Sequence, residues 1–149
     1  MSLRRDDKSR MRRRKNVYFR ALTRFVKRGR NEVDRCTRAG AYLAGCTLIG
    51  AMTENVLMAM LRMFPDVVYR YGRKLRVRWD LGKLIEFAHD CGWFDQAVYE
   101  AAERIRMNRN LLHPNWYASR KPPRITRGML AAREVDFGMV LARMESLVI

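Results

Sequence analysis

The stretch between Arg38 and Arg62, about 23 mostly apolar residues, constrains the fold more than any other part of the chain. As a helix rising about 1.5 Å per residue, it is long enough either to cross a bilayer or to run through the middle of a globular core. Glu54 separates these alternatives. A carboxylate near the centre of a membrane costs roughly 2.5–3.5 kcal/mol, and the arginine-rich flanks would have to sit on opposite sides. A buried helix with Glu54 turned toward a polar site meets neither difficulty. Ala41, Ala44, Gly45, Gly50 and Ala51 thin its surface so that neighbouring helices can approach, and its apolar character on several faces marks it as central. Asn31 is a candidate cap, with Glu32 and Asp34 suited to the first turn, and Pro65 stops the helix after Phe64.

The rest of the chain reads as shorter helices around this one. Residues Met1 to Lys15 are strongly basic with little apolar content and are expected to form a disordered arm. Val17, Ala21, Leu22 and Phe25 then recur at helical spacing through Asn16 to Arg28, before Gly29 loosens the chain. Asp66 to Trp79 is read only as a connection. Asp80 caps a helix carrying Leu81, Leu84, Ile85 and Ala88, which Gly92 terminates. Asp95 caps the next, with Val98, Ala101, Ala102, Ile105 and Leu112 facing inward as far as His113, before Pro114. Asn115 to Arg124, with its Pro122-Pro123 pair, is a rigid exposed loop, and Thr126 opens a last helix through Leu147. The expectation is an all-α, up-and-down bundle of four to five helices: an arm over residues 1–15 and one helical domain over 16–149.

At 149 residues there is material for one core. The 31 Lys+Arg against 15 Asp+Glu leave a net charge of +16, which favours a polyanionic partner. Most of that excess is arginine, whose planar fork of donors grips phosphate and stacks on bases, so RNA or DNA is preferred over generic solubility. A genome-wide preference for arginine over lysine is the alternative explanation of that bias, and charge alone assigns no function. Cys36, Cys46 and Cys91 are odd in number and widely spaced, which points to free thiols in a reducing compartment. With His89 and His113 the only histidines, no metal site is expected, and no cofactor. The N-terminus lacks the apolar segment of a secretory signal, so the chain is expected to be cytoplasmic with no membrane partner.

The residues that carry chemistry lie in Arg104-Ile105-Arg106-Met107-Asn108-Arg109-Asn110-Leu111-Leu112-His113-Pro114. On a helix, Arg109 lies four residues before His113 and Arg106 seven before it, so all three share a face. Asn110 falls about 60° round the same side. RNA brings its own nucleophile, the 2′-hydroxyl; cleavage needs a group to remove its proton and cations to stabilise charge on the phosphate oxygens. His113 is suited to the first role, with a gain on the order of 10²–10⁴-fold, and Arg106 and Arg109 to the second. Equally, a histidine at a helix C-terminus is favourable to the helix dipole without any catalytic role.

Arg109-Asn110-Leu111-Leu112-His113-Pro114, closing a helix that follows the Asp80–Cys91 segment, resembles the signature helix of the HEPN superfamily. Ala51-Met52-Thr53-Glu54 resembles that family's second core helix, which often bears an acidic residue facing the site. The resemblance covers roughly Glu32 to Ser146. It implies a helical bundle that forms a homodimer around one composite RNA cleft. Many such proteins are metal-independent endoribonucleases of toxin or defence type, held by an antitoxin or other protein partner; others are inactive binding modules. The family pattern places four to six positions between arginine and histidine. Arg109 has its polar neighbour Asn110 but only three intervening residues, whereas Arg106 has six and is followed by Met107.

Two readings follow. In the first, His113, Arg109, Arg106, Asn110 and Glu54 form a catalytic centre that yields a 2′,3′-cyclic phosphate. In the second, the chain is a non-catalytic nucleic-acid- or nucleotide-binding or scaffolding module. A general basic packaging or regulatory protein is a third, weaker reading, without a helix-turn-helix signature. Candidate nucleic-acid contacts are Arg12, Arg13, Arg14, Arg20 and Arg24, with Trp116 and Tyr117 able either to stack bases or to pack. Glu54 is expected either to hold Arg106 or Arg109 in place or merely to neutralise a buried charge. His89 reads as structural.

Overall fold

The computed structural model describes residues 5–71, 79–111 and 124–148, and these form helices α1 (Arg5–Arg38), α2 (Tyr42–Met63), α3 (Pro65–Arg70), α4 (Leu81–Asp90), α5 (Gln96–Asn110) and α6 (Arg127–Val148). The all-helical expectation holds among the described residues, with six helices rather than four or five. The additional one, α3, falls in the stretch read only as connection and opens with Pro65 in its first turn, where a missing N–H removes no helical bond.

The N-terminal expectation is corrected. Residues 5–15 are the first turns of α1, which continues unbroken through Gly29 for 34 residues. Arginine and lysine are good helix formers, so weak apolar content alone did not end the helix. Gly29 is buried against α2: a Cβ there would lie 2.5 Å from Met52 Sδ, so this glycine permits close packing rather than a break. The break comes at Gly40, which adopts φ +70°. Gly40 N–H donates to Thr37 O and Ala41 N–H to Cys36 O, the paired bonds of a Schellman helix end. Asn31 therefore caps nothing, and α2 begins at Tyr42.

The other boundaries follow local signals. Asp80 Oδ1 accepts from Lys83 N–H at 2.9 Å, and Asp95 Oδ1 accepts from Val98 N–H at 2.9 Å. Thr126 Oγ1 accepts from Met129 N–H at 3.2 Å at the start of α6. Gly92, at φ +77°, follows the end of α4. α5 ends at Asn110 with Leu111 as its C-cap, and residues 112 and 113 of the expected continuation lie outside the described residues.

α2 packs against α1, α4, α5 and α6. Ile49, Met52, Val56, Leu57, Met60 and Leu61 of α2 are buried among Leu84, Ile85 and Phe87 of α4, Ala102 and Ile105 of α5, and Leu130, Val140 and Met144 of α6. Each large apolar side chain buried in this way contributes about 1.5–3 kcal/mol. Thr53 is the buried polar residue of α2, and its hydroxyl donates to Ile49 O at 2.8 Å. By length and composition α2 could cross a membrane; half of its most apolar window is buried inside this fold.

Candidate functional site

The α2–α5 contact is set by a glycine. Arg109 leaves α5 directly over Gly50: a Cβ on residue 50 would meet Arg109 Cδ, Cβ and Cγ at 2.8, 2.9 and 3.0 Å. The arginine stem thus lies on bare backbone, and its guanidinium reaches one turn further along α2. There Nη2 meets Glu54 Oε2 at 2.7 Å, with both side chains about one-third exposed. Of the two partners considered for Glu54, the structure selects Arg109.

Arg106 turns elsewhere. Its Nε donates to Glu103 Oε1 at 3.0 Å and its Nη2 to Glu103 Oε2 at 2.7 Å. Its stem passes Gly82 at the start of α4, where a Cβ would lie 3.5 Å from Arg106 Cδ. The hydrogen bonds it donates to Glu103 hold its pKa above the usual arginine value, with burial opposing and the Glu103, Tyr99 and Asp80 charges adding. The two arginines share a side of α5, but each is claimed by its own carboxylate, Arg109 by Glu54 across on α2 and Arg106 by Glu103 within α5, so the expected joint clamp is divided. Asn110 is exposed at the helix end. His113, Trp116 and Tyr117 lie outside the described residues.

One polar network beneath this end of α5 was not foreseen. Asp136 of α6 is 4% exposed and accepts from Arg104 Nη2 at 2.8 Å and Nε at 3.2 Å. Arg133 Nε lies 3.0 Å from Asp136 Oδ2, an ionic contact whose angle does not make a hydrogen bond. Arg133 Nη1 donates to buried Asn108 Oδ1 at 3.2 Å. Asp136 and Asn108 thereby fasten α6 to α5 through arginine. The pairing of residues 32 apart, Arg104 with Asp136, gave no local signal in the sequence.

Arg12, Arg13, Arg14, Arg20 and Arg24 are all exposed on α1. Arg13, Arg20, Arg24 and Lys27 fall on one face of the helix, opposite the inward-facing Leu22, Val26 and Val33. At about 1.5 Å per residue this row is about 21 Å long. Among the described residues, no carboxylate forms an ion pair with any cation from Arg10 to Arg28. No group of three or more His, Cys, Asp or Glu among the described residues is placed to hold a metal ion.

Comparison of the chain with protein-family models, with curated proteins and with solved structures finds no match.

Proposed function

We propose that the chain is a cytoplasmic RNA-binding protein of HEPN-like, up-and-down helical architecture, which holds RNA on the exposed face of α1. The observation that carries this reading is the row of cations on α1 without carboxylate partners among the described residues. On α5, by contrast, the fold matches arginine to carboxylate: Arg109 to Glu54, Arg106 to Glu103, Arg104 to Asp136. An unmatched row on a surface helix carries like-charge repulsion that a polyanion relieves. Arginine supplies the forked donors that suit phosphate. Titrating salt against the affinity of the full chain for a labelled 20-nucleotide RNA tests this. Tight binding that weakens linearly in the logarithm of salt supports the reading, and no binding at low salt removes it.

A second reading, a metal-independent endoribonuclease of toxin or defence type, is favoured by the Glu54–Arg109 bridge at the end of α5. The resemblance associates an acidic residue on the second core helix with such a site. In this reading His113 takes the proton of the 2′-hydroxyl, the 2′-oxygen bonds to phosphorus, and the 5′-oxygen leaves, giving a 2′,3′-cyclic phosphate. Arg109 and Arg106 steady the phosphate oxygens and Asn110 orients His113. A homodimer would pair two such helices, with an antitoxin or other protein as its restraint. Incubating RNA with the protein in EDTA decides it: cleavage to cyclic-phosphate ends, lost in His113→Ala, supports the nuclease. Retained binding without cleavage leaves the binding module.

A further inference from the structure

A second cationic feature lies away from both α5 and the outer face of α1. Between the N-terminal half of α1 and the corner where α2 turns into α3 there is a groove of about 510 Å³. That volume is within the range of roughly 300–1,000 Å³ usual for small-ligand sites. Arg10, Arg14 and Lys15 line it from α1, Arg62 from the last turn of α2, and Arg70 from the end of α3. Asp66 is the single acidic residue among its walls. Arg10, Arg14 and Arg62 form no ion pair with a described residue, and the Arg70 Nε bond to Asp66 O is long, at 3.5 Å.

Helix packing brings these cations together from parts of the chain some fifty residues apart, which is why the sequence does not display them as a patch. Folding five like charges around one concavity opposes the fold unless an anion occupies it. The groove is not uniformly polar. Arg10, Arg14 and Tyr18 follow at intervals of four along one row of α1, so a half-buried phenol ring continues the line of guanidinium groups. Lys15 Nζ sits 4.2 Å above the Phe64 ring, which holds an ammonium group at the wall.

We propose that this groove is a subsite for single-stranded RNA. It takes one or two backbone phosphates between Arg14, Arg62 and Arg70, with a base against Tyr18. The proposal rests on the RNA-binding reading above and adds a location to it. Cations beside an aromatic ring are what an unpaired strand uses, since its phosphates and base faces are accessible together. A duplex is too wide to enter a cavity of this volume and offers it no base face.

The test uses a four-nucleotide single-stranded RNA and a 20-nucleotide single strand with the full chain, its Arg62→Ala/Arg70→Ala variant and its Arg20→Ala/Arg24→Ala variant. All four arginines are exposed, and thermal unfolding verifies that each variant is folded. The expected result is tetranucleotide binding weakened about tenfold or more by Arg62→Ala/Arg70→Ala and weakened less by Arg20→Ala/Arg24→Ala, with the order of the two variants reversed for the 20-nucleotide strand. In Arg62→Ala/Arg70→Ala the tetranucleotide salt slope should fall by about 1.4, or about 0.7 for each lost phosphate contact. Tyr18→Leu should lower tetranucleotide affinity while leaving the salt slope in place, because stacking releases no counterions. Tetranucleotide binding unaffected by Arg62→Ala/Arg70→Ala overturns the subsite, and if the 20-nucleotide strand still binds, the general RNA reading stands. Failure of both RNAs to bind overturns both readings. Vesicles containing phosphatidylserine form the last arm: dependence on Arg62 and Arg70 for vesicles but not for RNA assigns the groove to lipid phosphate and overturns the proposal.

Discussion

Arg109 crosses the bare backbone of α2 to reach Glu54, Nη2 to Oε2 at 2.7 Å, and so fixes the end of α5 against the central helix. The pair is about one-third exposed, so water screens it and its coupling is expected to be modest, about 0.2–1 kcal/mol. A double-mutant cycle with Glu54→Gln and Arg109→Met, read by urea unfolding, checks this. Additive effects of the two changes would mean that the pair is not formed in solution.

Gly50 and Gly29 both face close neighbours, but of different kinds. At Gly50 the obstruction includes Arg109 Cβ, which is attached to backbone, whereas at Gly29 it is the flexible end of Met52. Gly50→Ala should therefore force α2 and α5 apart and cost about 1–3 kcal/mol, the overpacking range, reduced by the better helix propensity of alanine. Gly29→Ala should cost less. Equal or reversed losses in denaturant unfolding would contradict the packing described for α2.

Asp136 holds two arginines from a position 4% exposed. Asp136→Asn keeps the shape but removes the charge that Arg104 and Arg133 share. The expected loss is about 1.5–3 kcal/mol, the range for hydrogen bonds to charged groups. Arg104→Ala alone should lose less, because that side chain is 43% exposed. Differential scanning calorimetry distinguishes the two.

The local parts of this architecture were legible in the sequence. Asp80, Asp95 and Thr126 announce helix starts because a cap depends only on the next three residues. Pro65 announces a stop for the same reason. Gly29 and Gly40 look alike in sequence, yet one packs against Met52 and the other turns the chain, and only the tertiary neighbour separates them. The Glu54–Arg109 pair was legible because both residues stood out on helices expected to meet. Asp136 with Arg104, and Arg62 and Arg70 facing Arg14, depend on how helices dock, which periodicity does not encode.

Burial pushes the Cys46 thiol above its ordinary pKa, with Arg133 opposing and Glu134 adding to the shift, so it stays protonated at mildly alkaline pH. It is also 1% exposed. At pH 8 the native protein should leave Cys46 unmodified by iodoacetamide while Cys36, which is half-buried, reacts. Denaturant should equalise them. Rapid native labelling of Cys46, mapped by peptide mass, would contradict the packing of α2 against α6.

If RNA lies along the outer face of α1, fluorescence anisotropy of a 20-nucleotide single-stranded RNA separates the wild type from Arg13→Gln/Arg20→Gln/Arg24→Gln. All three side chains are exposed, so the fold is retained. The variant should bind more weakly, with a salt slope smaller by about 2, from three phosphate contacts at about 0.7 each. An unchanged affinity and slope in the folded variant would show that this face of α1 does not hold the RNA.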